Sequence, residues 1–501
     1  MDYLDPSKER AQTIRLLIGY VLVGVAILIA TLILLYQAYG FGLSKDGEVI
    51  QNGLVFISSQ PSNAQIYLDG KLNKSSTNAK LQLPEGQYKT ELKRTGYTSW
   101  QRIISVPGGS LQHFDYPRLF PTDLKTTNLK PYETSPSLAT QSPDRRWLVV
   151  QQTSLPTTFD LYDLADAKNV TQNVTTISLS ETLLTSVKTG THSLKLVEWS
   201  TDNRHILLQH DYTVNETAAS EYIMFDRQDP ASSVNLTKTL LLTPTKQLTL
   251  HDKKFDQYYV YDAEAHTLGT MTIGAAGTVT PLLEQVIAYK SYGKDMVLYV
   301  TDKAAPAGQV LSMLYDGGTI YKIREHGLTG PYLIDLAQYS NDWYVVVGAS
   351  GDNKVYIYKN PQSVRKSSNT AVLVPVQIMR MNAPNKLQFS SNTEFVMIEN
   401  GTSFVDFDAE TDKGYRFTSK YPVDPPATAA AWMDGQRLTY VSGGKVVVYD
   451  YDNINDRALS VSSPNYVPFF DREYKNLYTL APVASGGMIL TTTSLLTPAD
   501  Q

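Results

Sequence analysis

Four oxygen-bearing residues, Asp450, Asp452, Asn453 and Asp456, share one short stretch and have the chemistry of a calcium site. Their spacing lacks the glycine and the terminal glutamate of an EF-hand loop, so they read as a solvated acidic turn. Two Ser-x-x-Lys patterns, Ser291 to Lys294 and Ser363 to Lys366, are the arrangement in which a lysine can activate a serine. Neither stands at an expected helix start, and no Ser-Asp-Asn element accompanies them. The seven histidines are dispersed at 113, 192, 205, 210, 251, 266 and 326. His205 and His210 are five apart, which puts them on opposite faces of a strand and out of reach of a shared metal. Gly-x-Ser-x-Gly, His-Glu-x-x-His and Walker patterns do not occur. The chain has no cysteine, which removes disulfides, thiolate zinc sites and cysteine nucleophiles together. The sequence therefore gives no catalytic, cofactor-binding or metal-binding residue and no cofactor. A formal net charge of −5 gives no reason to expect nucleic acid.

The elements that would position any site are strands. Tyrosine is abundant (33 residues), valine, threonine and leucine are frequent, and no helical periodicity competes outside one N-terminal segment. From about 124 to 494 one theme recurs, in which a strand meets a polar turn and an apolar strand follows. It appears at 142–150, 199–208, weakly at 251–261, at 289–299, 339–345, 389–398, 432–438 and 470–478. The copies are roughly 35–60 residues apart, the spacing of propeller blades. Later in several copies an aromatic–Asp pair ends a third strand: Tyr162-Asp163, Phe225-Asp226, Phe407-Asp408 and Tyr449-Asp450. These pairs read as strand-end turns. Trp147, Trp199, Trp343 and Trp432, each in a copy of the motif, read as packing at equivalent positions rather than as a ligand lining. The hairpin resembles the Ser-Pro-Asp-Gly turn of TolB-like and WD40-like β-propellers, loosely in each copy but along the whole region. Eight blades are expected, with seven and one irregular insertion as the other count. The eighth hairpin lacks a fourth strand, and Leu124–Leu129 has no partner of its own, so it is expected to complete the last blade.

A smaller β-unit precedes this region. Gly53–Ser58 and Ala64–Leu68 read as strands, Asp69-Gly70 as a tight turn, and Pro84-Glu85-Gly86 as a turn needing positive φ at Gly86. Tyr88, Thr90 and Leu92 then share one strand face. Ser58, Pro61, Ala64, Asp69, Gly70, Leu83, Pro84, Gly86, Tyr88, Gly96 and Tyr97 occur in an order similar to that of the PEGA domain family. Asn63 stands where that family usually has glycine, a mild change because asparagine tolerates positive φ. Asn78-Ala79 stands where it often has Thr-Pro. The resemblance implies a small β-sandwich-like module of surface and envelope proteins, without known catalysis.

Leu16 to Leu35 is an uncharged apolar run of 20 residues. At about 1.5 Å rise per residue it matches the roughly 30 Å hydrocarbon core of a bilayer. Lys8, Arg10 and Arg15 precede it and only Lys45 follows closely, which places the N-terminus in the cytoplasm. A cleaved signal peptide is the competing reading, against which the run is long and Ala38-Tyr39-Gly40 is a poor cleavage site. The expected chain is all-β with one N-terminal transmembrane helix. Residues 1–15 form a cytoplasmic tail, 16–36 the transmembrane helix, 37–52 a spacer, 53–120 the PEGA-like β-sandwich and 121–501 the propeller. The expected function is that of a non-catalytic, single-pass, cell-surface scaffold or binding module, its bulk extracytoplasmic. A protein, peptide or glycan would bind one propeller face. A hydrolase or lyase acting on surface polysaccharide is the alternative.

Overall fold

The computed structural model describes residues 6–38, 41–43, 49–152, 157–165, 170, 174–185, 191–214, 216–274, 277–368, 371–425 and 430–500. One helix, Pro6–Ala38, opens the chain. Its segment Gln12–Tyr36 is long and apolar enough to cross a membrane, with a mean hydropathy of 2.8. The helix begins before the apolar run because nothing in 6–15 after Pro6 breaks it. The rest is almost entirely β and divides into two compact units, residues 1–123 with 497–501, and residues 124–496.

The first unit contains two four-stranded sheets. One joins Phe41–Leu43, Val49–Ile57 and Ala79–Pro84, with Leu111–Phe114 parallel to Val49–Ile57. The other joins Lys71–Ser76, Gln65–Leu68, Gly86–Lys93 and Trp100–Val106. Alternation along the strands sends Val55, Ile57, Leu81 and Leu83 inward from one sheet and Ile66, Leu92, Trp100 and Ile104 from the other. The expected spacer is thus partly sheet, since Phe41–Leu43 pairs with 49–51. Thr77 fills the stretch next to the Asn78-Ala79 departure: its hydroxyl accepts from Ala64 N at 2.9 Å and meets Ser59 Oγ at 2.6 Å.

Backbone angles sort the expected turns. Asp69 (φ 49°) and Gly70 (φ 78°) are both left-handed, as a two-residue hairpin of type I′ requires. Asn63 also takes positive φ (62°), so the asparagine does the work of the family's glycine. Gly86 opens a strand with a φ of 158°, a positive angle of the kind that favours glycine, although a Cβ there would meet nothing nearer than Tyr88 Cε2 at 3.8 Å. Gly70→Val is therefore expected to cost about 1–2 kcal/mol through its φ alone, since a Cβ at residue 70 would meet no atom within 4 Å. Gly86→Val should cost a similar amount, again through φ. Urea unfolding of the two full-length variants measures both, and an unchanged midpoint in either would refute the assignment for that glycine.

The second unit is an eight-bladed β-propeller. Its eight four-stranded sheets span 139–178, 192–235, 246–283, 286–327, 332–380, 386–418, 431–461 and 469–494, the last completed from the other end of the unit. We number these blades 1 to 8. First strands of blades 2 and 3, of blades 4 and 5, and of blades 5 and 6 approach each other, as the inner strands of a propeller do. The recurring turn joins first and second strands, and the weak copy at 251–256 does so in blade 3. In most copies one turn residue is left-handed: Arg145, Asn203, Gly293, Ser340, Thr393 and Tyr474 have φ between 53° and 61°. Non-glycine residues hold this conformation because the turn is bonded around them. Ser142 Oγ accepts from Trp147 N at 3.0 Å, and Ser390 Oγ from Phe395 N at 3.0 Å.

Strand Thr126–Tyr132 closes the ring by pairing antiparallel with Met488–Ser494. Pro131 fits there because an outer strand leaves one side of its backbone unpaired. The strand also reaches blade 1. Tyr132 Oη donates to Asp160 Oδ2 at 2.9 Å, and Lys130 Nζ lies 2.7 Å from the same oxygen of this fully buried carboxylate.

Candidate ligand-binding site

The residues singled out for chemistry are mostly engaged in structure. Asp450 pairs with Arg437 Nε at 3.3 Å and accepts from Asn455 Nδ2 at 2.8 Å. Asp456 pairs with Lys420 Nζ at 2.7 Å. Among the described residues no group of three or more acidic or histidine side chains converges as metal ligands would. Ser291 lies in a strand. Ser363 and Lys366 do lie on a helix, Pro361–Ser367, contrary to expectation, but Lys366 Nζ turns away to Asp316 at 2.9 Å. The aspartates of the aromatic–Asp pairs cap turns and hold cations. Asp163 accepts from Ala165 N at 3.0 Å and from Arg146 at 2.7 Å, and Asp226 holds Arg204. The tryptophans are not equivalent. Trp199 and Trp432 end first strands and are buried, while Trp147 and Trp343 lie just beyond the turn at the start of second strands. Trp199 Nε1 donates to Thr140 Oγ1 of blade 1 at 2.9 Å, and Trp147 stacks under Arg227 at 4.1 Å.

A cavity of about 590 Å³ in the propeller takes its lining from blades 2, 3 and 4. First strands His192–Trp199, Lys246–Leu250 and Val286–Tyr292 bring Glu198, Gln247, Thr249, Tyr289 and Lys290 to it, and Tyr222 adds a ring from the third strand of blade 2. Glu198 is the one carboxylate of the lining. It is engaged by Lys253 Nζ and by Leu250 N, both in short contacts. Lys246 Nζ donates to Asp262 at 3.1 Å. Lys290, with Lys253, faces the field of Asp335 on blade 5, whose carboxyl burial pushes above the usual range while these lysines oppose the shift. Tyr289 Oη and Thr249 Oγ1 are 2.8 Å apart, and burial raises the Tyr289 phenol to about 12. The wall thus carries two tyrosines and many donors, with Lys246 and Lys253 paired to carboxylates. It suits a polar ligand with many hydroxyls or amides, held by ring faces and hydrogen bonds.

Two buried groups were not visible in the sequence. In blade 2, Glu221 Oε1 accepts from His210 Nδ1 at 2.8 Å, and His210 Nε2 lies 2.9 Å from Nδ1 of His192. Burial alone would raise Glu221, but hydrogen bonds from His210, Thr185 and Asn235 outweigh it and hold the carboxyl at about 2. Only the register of three antiparallel strands brings 192, 210 and 221 together. In blade 6, burial pushes Glu399 up to about 7 and Asp406 well above the carboxylate range. Glu399 Oε1 accepts from Ala430 N at 2.8 Å, whereas neither oxygen of Asp406 has a hydrogen-bond partner among the described residues. Both carboxylates belong to the interface where Phe404 stacks on Tyr440 of blade 7.

The chain thus combines a membrane-length helix, a β-sandwich and a propeller. Residues 52–118 match the PEGA domain. No curated protein sequence matches the chain significantly. Solved structures resemble its fold. A dipeptidyl peptidase 4 from Porphyromonas gingivalis aligns with a TM-score of 0.44 and 14% identity, over 73% of this chain and 58% of that one. An oligogalacturonate lyase in complex with manganese gives 0.36 and 11%, over 89% and 98%. A eukaryotic initiation factor gives 0.38 and 13%, over 65% and 88%. At this similarity they carry no argument about activity.

Proposed function

We propose that this chain is a single-pass, membrane-anchored, extracytoplasmic binding protein whose propeller cavity recognises a neutral glycan or a peptide of the cell envelope. The observation that carries the reading is the lining itself. Two tyrosines and three lysines, two of them paired with carboxylates, line the space, and its single carboxylate is already held by Lys253 and Leu250 N. A hydrolase or lyase would need a carboxylate, histidine or nucleophile free to move a proton. The Lys8, Arg10 and Arg15 asymmetry supports a cytoplasmic N-terminus and an outward propeller.

The absence of cysteine makes one experiment decisive for both parts. Ser291→Cys places a single thiol in the cavity lining. A membrane-impermeant maleimide should label it on intact cells, and added envelope polysaccharide or peptide should protect it. Lys290→Ala, which leaves the thiol in place, should weaken that protection about tenfold, the effect of losing one charge-assisted hydrogen bond. Labelling only after the cells are broken would reverse the topology. Labelling that no envelope fraction slows would remove the cavity as the binding site.

A further inference from the structure

Gly96-Tyr97 carries part of the PEGA resemblance, yet the propeller reading leaves it without a role. In the structure these residues meet the last residues of the chain, which belong to the first compact unit and not to the second. Asp500 N donates to Thr497 O at 2.9 Å, closing a tight turn over Pro498 and Ala499. Tyr97 Oη accepts from Thr497 N at 2.9 Å and donates to Asp500 Oδ2 at 2.7 Å. Arg94 holds the other carboxylate oxygen, and a second guanidinium nitrogen bonds Ser62 O, both in short contacts. Thr497 Oγ1 completes the shell at 2.9 Å from Asp500 Oδ2. Gly96, at φ 82°, lets the turn approach, since a Cβ there would stand 3.2 Å from Thr497 Cγ2. The ion pair is mostly buried, with side-chain exposures of 23% for Arg94 and 15% for Asp500. Beside the turn the groove continues as a space of about 820 Å³, lined further by Asn63, Gln65, Lys93 and Ser99. The groove is larger than its occupant.

We propose that the groove around Arg94 and Tyr97 is a recognition site for an acidic peptide segment presenting an aspartate-bearing turn, and that residues 497–500 fill it as a resident ligand that such a segment must displace. The fit reads three things at once: a backbone N–H taken by Tyr97 Oη, a carboxylate clamped by Arg94 and Tyr97, and a backbone path that needs glycine at 96. None of these is required by the sandwich core, where Tyr97 contributes its ring. The unfilled part of the groove offers a longer segment further hydrogen bonds from Asn63 and Gln65, beside Lys93, which pairs with Glu91 at 2.9 Å.

The test uses a fluorescein-labelled peptide of residues 496–501 and two full proteins in detergent, the intact chain and one ending at Leu496. The shortened protein should bind the peptide, and the intact protein should bind it at least about tenfold more weakly, because its own tail is present at the roughly millimolar effective concentration of a tethered ligand. A peptide with Asp500→Asn should lose about tenfold, as expected for one charge-assisted contact. In the full chain, Asp500→Asn should loosen residues 497–500 and so strengthen binding of the added peptide by a similar factor. Failure of the shortened protein to bind, equal binding by intact and shortened proteins, equal binding of the two peptides, or binding to the full chain that Asp500→Asn leaves unchanged would each overturn the proposal.

Discussion

Replacing residues 126–132 with a glycine–serine stretch of equal length is expected to cost the propeller about 5 kcal/mol or more and to broaden its unfolding. Two losses add. Tyr132, almost completely buried, leaves a hole in the cluster it shares with Leu148, Tyr162 and Leu490, and deletion of a buried aromatic costs about 3–5 kcal/mol. Asp160 loses Tyr132 Oη and Lys130 Nζ and keeps Gln152 Nε2 at 2.7 Å, and an under-satisfied buried group costs about 1–3 kcal/mol. The single change Lys130→Met should cost about 2–4 kcal/mol, because it strands a buried charge, and adding Asp160→Leu should recover much of it. Equilibrium urea unfolding of full-length variants provides the measurement. A glycine–serine variant with the parent's midpoint would show that the ring does not depend on its N-terminal strand.

Glu399 should make stability fall as pH rises from about 4.5 to about 7, in the same direction as Glu394, also pushed up to about 7 by burial, and against His326, which burial lowers to about 4. The folded pKa of Glu399, about 7, stands above the ordinary value of 4.5 because of burial. In that interval this carboxyl binds more protons in the folded state than in the unfolded one, so its contribution to stability decreases with pH. The shift of about 2.5 units amounts to about 3 kcal/mol once the group ionises in both states. Asp406 acts in the same direction, raised by burial first and then by Asp452 and Glu399. Glu399→Gln keeps an oxygen for Ala430 N and should flatten the profile. Asp406→Leu, in an interface already built of aromatic rings, should raise stability at pH 8. A Glu399→Gln profile parallel to the parent's would contradict the assignment.

What the sequence made legible is local or countable. The repeating polar turn announces the blades because each copy must bend the chain within a few residues, and a missing fourth strand in the eighth hairpin points to a spare one at 124–129. Asp69-Gly70 is legible because type I′ turns accept few residues. Pro84-Glu85-Gly86 is legible because Gly86 takes a positive φ of 158° where one strand ends and the next begins. The cavity was not legible, because Glu198, Thr249 and Lys290 belong to three blades and no linear pattern connects them. His192, His210 and Glu221 depend on register across two hairpins. The four tryptophans looked equivalent because the turn between them is only a few residues long, and a shift across it moves a side chain from one strand to the next.

Ring closure by the strand 126–132 also sets an order of events during synthesis. Thr126 and its partner Thr493 are 367 residues apart. At about 5–20 residues per second the closing strand leaves the ribosome roughly 20–70 s before the strand it must pair with exists. Throughout that wait it is an open edge, the kind that recruits neighbouring chains. Its composition suits the delay: Thr126, Thr127 and Asn128 are polar, Lys130 carries charge, and Pro131 cannot donate to an intruding strand. A nascent chain released before Ser494 would leave that edge permanently unmatched, so truncated products of this gene should be the ones that aggregate or exchange strands with one another.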